Sequence, residues 1–311
     1  MARWLRITLI VVVVLLLGGG GAYYWFVGDG DPPGNLTPYA FDIAAVRAAA
    51  DELPGGKASE VRVEMPNHFS FPATASVGGD GWNSVAMAAF SYQVILPTDT
   101  IVIDSGFVRG QTRDQLFPAD DTMYDDDAAA RMDAGLGEAT EIVVTHEHPD
   151  HIGGLVAFYG KVPDIARGIR LTVEQAANVG VYVPAWRDVF KDIAPIAYDR
   201  YLTVAPGVVL IKAPGNSPGG QMIYVRREDG RELLFVGDIG WLMRNIETGK
   251  GRPRLFSQFV LHEDRDAVFA ELAALKALHA AEPNVLIVPG HDVAAVEALI
   301  ASGAMTAQFK L

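Results

Sequence analysis

The run Thr145-His146-Glu147-His148-Pro149-Asp150-His151-Ile152-Gly153-Gly154 gathers side chains suited to metal chemistry. Three of the seven histidines fall inside it, directly after the apolar residues Ile142-Val143-Val144. In an extended segment residues two apart point to the same side, so His146 and His148 can offer two imidazoles to one ion. Asp150 and His151 are expected beyond a turn at Pro149, placed to serve a neighbouring point. Gly153 and Gly154 remove side chains where backbone must pass close to the site. Imidazoles combined with carboxylates suit zinc, and iron and manganese accept the same donors. The alternative is a hydrophilic loop that merely happens to carry histidines.

Elements must deliver that string. Glu141 to Thr145 reads as a buried strand and Gly153 to Tyr159 as the helix that follows. Apolar and β-branched runs predict further strands at Val61 to Met65, Val85 to Leu96, Thr100 to Ile103, Val208 to Lys212, Met222 to Arg226, Glu232 to Val236 and Val285 to Val288. Helical spacing marks Phe41 to Leu53, stopped by Pro54-Gly55-Gly56, then Asp264 to Ala281 and Val293 to Ile300. The Asp-rich stretch from Asp120 to Asp127 opens a helix through Ala134. Its carboxylates suit a helix N-terminus, and Asp125, Asp126 and Asp127 lack the spacing of an EF-hand calcium loop. Early strands followed by alternating strands and helices imply a layered α/β sandwich.

Composition narrows the function. With 25 Lys plus Arg against 38 Asp plus Glu the net charge is −13, and no basic cluster is visible, so nucleic-acid binding is excluded as a first reading. The chain has no cysteine, which rules out disulfides, thiolate metal sites and thiol nucleophiles. Arg3 and Arg6 precede an uncharged run from Ile7 to Val27, and a helix of that length spans roughly 31 Å, the thickness of a bilayer core. The arginines on one side, with Asp29 and Asp31 on the other, predict a cytosolic N-terminus and a domain outside the cytosol, periplasmic or extracellular. A secretory signal cleaved near Gly20-Gly21-Ala22 is the alternative. The organisation expected is an anchor or signal over 1–28, a linker and short helix over 29–58, and one domain over 59–311.

The His-x-His-x-Asp-His string resembles the signature of the metallo-β-lactamase superfamily, and later segments match that family in order. Ala213-Pro214-Gly215-Asn216-Ser217-Pro218-Gly219 is similar to its Thr-Pro-Gly-His-Thr-Pro-Gly loop, Phe235-Val236-Gly237-Asp238 to the strand bearing its bridging aspartate, and Val288-Pro289-Gly290-His291-Asp292 to its last ligand loop. Val102-Ile103-Asp104-Ser105-Gly106 also resembles its early strand and turn. The resemblance implies a four-layered αβ/βα sandwich, here preceded by a transmembrane helix. It implies two metal sites. The second has Asp150, His151, His291 and bridging Asp238; the first has His146, His148 and Asp238, with Asn216 where the family has a third histidine. Three outcomes stay open: two ions with Asn216 or water completing the first site, one ion at the second site, or loss of catalysis in a binding or scaffold protein. Where zinc binds, the family's chemistry is attack of metal-bound hydroxide on a small-molecule carbonyl substrate, an ester, lactone or amide, with Asp150 as proton acceptor. Cysteine-dependent zinc β-lactamases are excluded, and acyl-homoserine-lactonase-like hydrolases are the nearest class.

Other residues have lesser claims. His68, among Phe69, Phe71 and Trp82 in an expected loop, and His262 are either at a substrate mouth or simply on the surface. His279 reads as structural. Trp241, Arg244 and Asn245 follow Asp238 and either touch substrate or pack.

Overall fold

Most strands of this chain are apolar on both sides, which requires each sheet to be covered twice. The computed structural model describes residues 3–108 and 124–311, so Asp120 and Asp121 of the Asp-rich stretch lie outside the described residues. Helix α1 (Arg3–Tyr23) runs into a π turn (Tyr24–Gly28), and α2 (Ile43–Ala49) follows, capped by the Asp42 carboxylate. The first half holds β1 (Glu60–Pro72), α3 (Ala73–Ser76), β2 (Ser84–Ile95), β3 (Thr100–Ile103), α4 (Asp126–Glu138), β4 (Glu141–Val143), α5 (Pro149–Lys161) and α6 (Val173–Asn178). The second holds β5 (Tyr201–Ala205), β6 (Val208–Lys212), β7 (Gln221–Arg226), β8 (Glu232–Gly237), α7 (Met243–Thr248), α8 (Arg254–Phe259), α9 (Arg265–Ala281), β9 (Val285–Pro289), α10 (Val293–Ala301) and β10 (Thr306–Ala307). Among the described residues two five-stranded sheets result, in the orders β10-β1-β2-β3-β4 and β5-β6-β7-β8-β9.

Alternation along the strands sorts the side chains into layers. Val208 and Leu210 of β6, Ile223 and Val225 of β7, and Leu233 and Phe235 of β8 face Ala88, Phe90, Tyr92 and Val94 of β2 in the core between the sheets. Their neighbours Val209, Ile211, Met222, Tyr224, Leu234 and Val236 face the other way, onto α2 and α9. Val102 and Ile142 of the first sheet pack against α4 and α5 through Met132, Leu136, Ile152 and Leu155. The layers are therefore helix, sheet, sheet, helix, as the sequence resemblance implies.

Several boundaries differ from expectation for local reasons. The strand expected to reach Thr145 ends at Val143, because Thr145 gives its N–H to the Asp104 side chain instead of to a ladder. Helix α5 begins at Pro149, its first-turn position, so Asp150 and His151 lie on the helix and not beyond a turn. Strand β1 continues to Pro72 through a bulge between Glu64 and Asn67, so His68 stands on a strand. The helix expected from Phe41 to Leu53 forms only over Ile43–Ala49. Helix α4 starts at Asp126, with the Asp125 carboxylate accepting from the Ala128 N–H. Within residues 29–58 several side chains join the sandwich: Asp29 pairs with Arg254, and Val46 and Ala49 enter the core.

Helix α9 buries Val268, Phe269, Leu272, Leu275 and Leu278, and on the same side it buries Glu271, only 1% exposed. One oxygen of Glu271 accepts the Gly215 N–H at 3.1 Å, while the other has no hydrogen-bond partner. Burial pushes this carboxyl up to about 8 from an ordinary 4.5. Between those two values the unfolded chain releases a proton that the folded chain keeps, so stability falls as pH rises through that window and is level above it. Glu271→Gln keeps an acceptor for Gly215 and removes the ionisation. It is expected to raise stability by a few kcal/mol at pH 8, since each tenfold change in proton affinity is worth about 1.4 kcal/mol, and by little near pH 5. Thermal unfolding of both proteins across that range checks this; a gain that does not grow with pH refutes it.

Candidate metal centre

All of the candidate donors leave one edge of the two sheets. β3 runs parallel to β4 and β8 parallel to β9, so each pair ends side by side. Asp104 follows β3, His146 and His148 follow β4, Asp238 follows β8, His291 follows β9, and Asn216 lies in the loop after β6. Gly237 turns the chain into Asp238 at φ +51°, a left-handed conformation that glycine adopts without strain. A Cβ at Gly154 would lie 2.1 Å from the Ser105 carbonyl oxygen, so α5 can sit this close to the β3 exit only with glycine there. His146 and His148 turn together, with ring centroids 4.4 Å apart, while the intervening Glu147 points away and accepts from Ser217 Oγ and the Gly219 N–H.

The donors form two groups that share Asp238. Asp150, His151, Asp238 and His291 offer ligand atoms within 4.8 Å of one another, and so do His146, His148 and Asp238. The Asp238 carboxylate divides between them. Its Oδ1 lies 3.3 Å from His151 Nε2 and 3.1 Å from His291 Nε2, and its Oδ2 lies 3.7 Å from His146 Nε2. Asp150 Oδ2 is 3.2 Å from His291 Nε2 and 3.8 Å from His151 Nε2. His146 Nε2, His148 Nε2, His151 Nε2, Asp238 Oδ1 and Asn216 Oδ1 are buried without a hydrogen-bond partner. Buried polar atoms are rarely left in this state, and converging unpaired donors of these types fit one or two divalent ions.

Behind the donors a second layer fixes their orientation. His151 Nδ1 bonds Asp104 Oδ2 at 2.9 Å, and His291 Nδ1 bonds the Ala88 carbonyl at 2.9 Å, which turns both Nε2 atoms toward the centre. Thr145 Oγ1 donates to Asp104 Oδ2 at 2.8 Å and lies 3.1 Å from His146 Nδ1. Trp241 Nε1 donates to Asp238 Oδ2 at 2.8 Å, and Arg252 Nη2 donates to the Asp238 carbonyl at 2.6 Å. Arg252 also pairs with Glu263, and Glu263 accepts from Asn216 Nδ2 at 3.2 Å. A carboxylate only accepts, so the Asn216 amide must present its NH2 to Glu263 and leave Oδ1 unpaired. That oxygen's residue shares a small cavity with Thr145, His146 and Asp238.

Charge in the centre is divided by neighbours. Burial lowers the His148 pKa to about 4. Burial, reinforced by His151 and His148, holds His146 well below the ordinary imidazole value. Burial would also lower His291, but Asp238 and Asp150 outweigh it and bring it to about 9. The same contest raises His151, through Asp150, Asp104 and Asp238. Against burial, the imidazoles of His291, His151 and His146 keep Asp238 well below the usual carboxylate range. The carboxylates thus favour positive charge at His151 and His291, where a divalent ion would displace those protons.

Above the donors lies a cleft of about 520 Å³, lined among others by Phe71, Phe107, Tyr182, Trp241, Phe256 and Leu261, with His148, Asp150 and Asp238 also on its wall. His146, His148, Asp150, His151, Asn216, Asp238 and His291 are therefore brought together, and Trp241 joins them. His68 and His262 are exposed and absent from this cleft lining; His68 alternates with the partly buried Phe69 and Phe71 along β1. Arg244 pairs with Asp80, Asn245 bonds the backbone of Ser76 and Lys250, and His279 lies in the last turn of α9. Sequence reading gave no role to Asp104, Arg252, Glu263 or Tyr182. For Asp104 the available signals were a carboxylate directly after the apolar run of β3 and the resemblance of that strand and turn to the family's.

A family model described as the metallo-beta-lactamase superfamily matches residues 86–291. Among solved structures, an N-acyl homoserine lactone hydrolase with N-hexanoyl-L-homoserine at its catalytic metal centre superposes with TM-score 0.59 at 16% identity, over 78% of this chain and 96% of that one. A mutant of AiiA from B. thuringiensis with N-decanoyl-L-homoserine at its active site gives 0.59 at 17%, over 78% and 96%. AidC, a dizinc quorum-quenching lactonase, gives 0.54 at 17%, over 79% and 92%. No curated protein sequence matches the chain.

Asp104 supplies a test of the second layer. It sits at φ +57°, which asparagine tolerates, so Asp104→Asn keeps the backbone while removing the charge that faces His151. Metal affinity measured by chelator competition is expected to fall about 10- to 100-fold, with the melting temperature of the metal-free protein little changed. Unchanged affinity would mean that Asp104 only shapes the turn.

Proposed function

The chain belongs to the metallo-beta-lactamase superfamily, and on that premise we propose that it is a metal-dependent hydrolase of small esters, lactones or amides, with acyl lactones as the first class to test. The observation that carries this reading is the convergence of unpaired imidazole and carboxylate donors on the wall of an apolar cleft. Zinc is the ion we assign. Its first site would use His146, His148, Asp238 and the amide oxygen of Asn216, and its second Asp150, His151, Asp238 and His291. A divalent ion held there polarises a carbonyl and lowers the pKa of water to about 7.

The chain's own residues supply the rest. Asp150 reaches both the second donor group and the cleft wall, so its carboxylate can take a proton from the attacking water and return it to the leaving oxygen or nitrogen. Asp104 holds the His151 imidazole beside it in one orientation. Phe71, Trp241 and Phe256 give an acyl chain an apolar wall, worth about 0.8 kcal/mol per buried methylene. Lactonases of similar fold, with acyl-homoserine products bound, support an acyl substrate. Helix α1 projects clear of the sandwich, with none of its apolar span buried, which supports a membrane anchor with the domain outside the cytosol; a cleaved signal is the other reading.

The full chain, purified in detergent, is expected to carry zinc and to hydrolyse members of a lactone and ester panel. Chelator should abolish turnover, and Asp238→Ala should remove both ions. Asp150→Asn should lower kcat by about 100-fold or more while first-site metal remains. Asn216→His should raise zinc occupancy of the first site, since an imidazole is the better donor. Activity indifferent to chelator and to Asp238→Ala would overturn the proposal, and a metal-free, inactive protein would point to the scaffold reading.

A further inference from the structure

A run of aromatic rings leads from the end of α1 to the metal centre. Trp25 and Phe26, in the π turn that follows α1, pack edge to face with centroids 4.7 Å apart, and Phe26 packs on Phe259 of α8 at 5.8 Å. One helical turn earlier, on the same side of α8, Phe256 meets Phe71 at 6.1 Å and Trp241 at 6.5 Å in the cleft wall. Trp241 lies 5.7 Å from His291.

Polar contacts hold the turn where it is. Trp82 Nε1 donates to the Tyr23 hydroxyl at 2.9 Å, and Thr74 Oγ1 donates to the Val27 carbonyl at 3.2 Å. The Arg254 guanidinium covers the Trp25 ring at 5.1 Å and pairs with Asp29 at 2.9 Å. The end of the apolar helix is thus seated on α8, the same helix that walls the cleft. Beside it, Leu255, Phe259 and Trp82 remain 42%, 55% and 63% exposed. Tyr23, Tyr24 and Trp25 are the residue types that settle at a membrane–water boundary.

We infer that the mouth of the cleft lies on the surface of the bilayer that α1 enters, with Trp82, Leu255 and Phe259 in its interfacial layer, and that the substrate is an amphiphile whose acyl chain reaches the cleft from the membrane. The inference rests on the anchor and hydrolase readings above. Lipid is the occupant because the patch touches, through Tyr23 and Phe26, the segment where the apolar helix ends. A protein partner would have to displace that contact or share the patch with the bilayer.

The chain has no cysteine, so Leu255→Cys, Phe259→Cys and Glu228→Cys each create one labelling site. Leu255 and Phe259 are outside the metal centre, and Glu228 is exposed in the turn between β7 and β8, at the opposite end of the strands. Full-length variants carrying a nitroxide are reconstituted in phosphatidylcholine–phosphatidylglycerol vesicles and probed by power saturation. Collision with oxygen relative to a water-soluble nickel chelate should be several-fold higher at 255 and 259 than at 228. Labels at 255 and 259 that behave like 228, in protein that floats with the vesicles, would overturn the inference and leave the anchor intact. Protein that does not float would overturn both. With a long-chain lactone dissolved in the vesicles, turnover should follow its mole fraction in the bilayer. Turnover that follows only its total concentration would overturn access from the membrane.

Discussion

One buried carboxylate has to serve two clusters of imidazoles at once. Asp238 is 3% exposed, and a carboxylate taken out of water carries a penalty of several kcal/mol unless charge and hydrogen bonds compensate. Its Oδ1 faces His151 and His291, its Oδ2 faces His146 and accepts from Trp241, and its carbonyl accepts from Arg252. Each compensating group comes from a different element. Removing any of these partners would leave a charge or a polar group less compensated at a nearly buried position, so the sheet edge, α5 and the segment before α8 are all bound to the position of this residue.

The sandwich makes that possible through strand direction. Parallel pairs in both sheets end at the same edge, so residues far apart in sequence leave their strands as neighbours. Most of the strands are apolar on both sides, and the candidate donors stand in the first few residues beyond them. A rigid, doubly covered sheet fixes those exits, which allows loops to hold donors at ångström spacing.

What the sequence revealed follows the range of each interaction. His146 and His148 were legible because alternate projection is a property of two neighbouring residues, and it survives although the strand stops at Val143. The apolar run of α1 was legible from composition alone. The sandwich, Asp238 and His291 came from ordered resemblance across many short segments. The roles of Asp104, Arg252 and Glu263 were not legible, because each acts through a partner brought close only by folding: Asp104 on His151, and Glu263 on Asn216, 47 positions earlier. His68 was placed in a loop after a strand expected to end at Met65, whereas the chain carries Pro66 in a bulge and keeps its strand to Pro72. The seating of the π turn after α1 on α8 was invisible for the same reason as Glu263.

Asn216, at the position where the family resemblance leads one to expect a histidine, is held in one orientation by its neighbours. An amide oxygen is a weaker zinc donor than an imidazole nitrogen, and this amide is not left to rotate: Glu263 takes its NH2, Arg252 holds Glu263, and the same guanidinium reaches the Asp238 carbonyl. The first donor group therefore has two imidazoles, a shared carboxylate and one neutral oxygen, and the second has two imidazoles and two carboxylates. An ion should be held more firmly where the donors carry more negative charge, so the proposed pair of sites is unequal by construction. The weaker site shares Asn216's cavity, and the Glu263–Arg252 pair behind it links amide orientation to the backbone that carries the bridging carboxylate. Asymmetry between the two proposed sites would thus be held by two side chains, Glu263 and Arg252, that lie behind the donors.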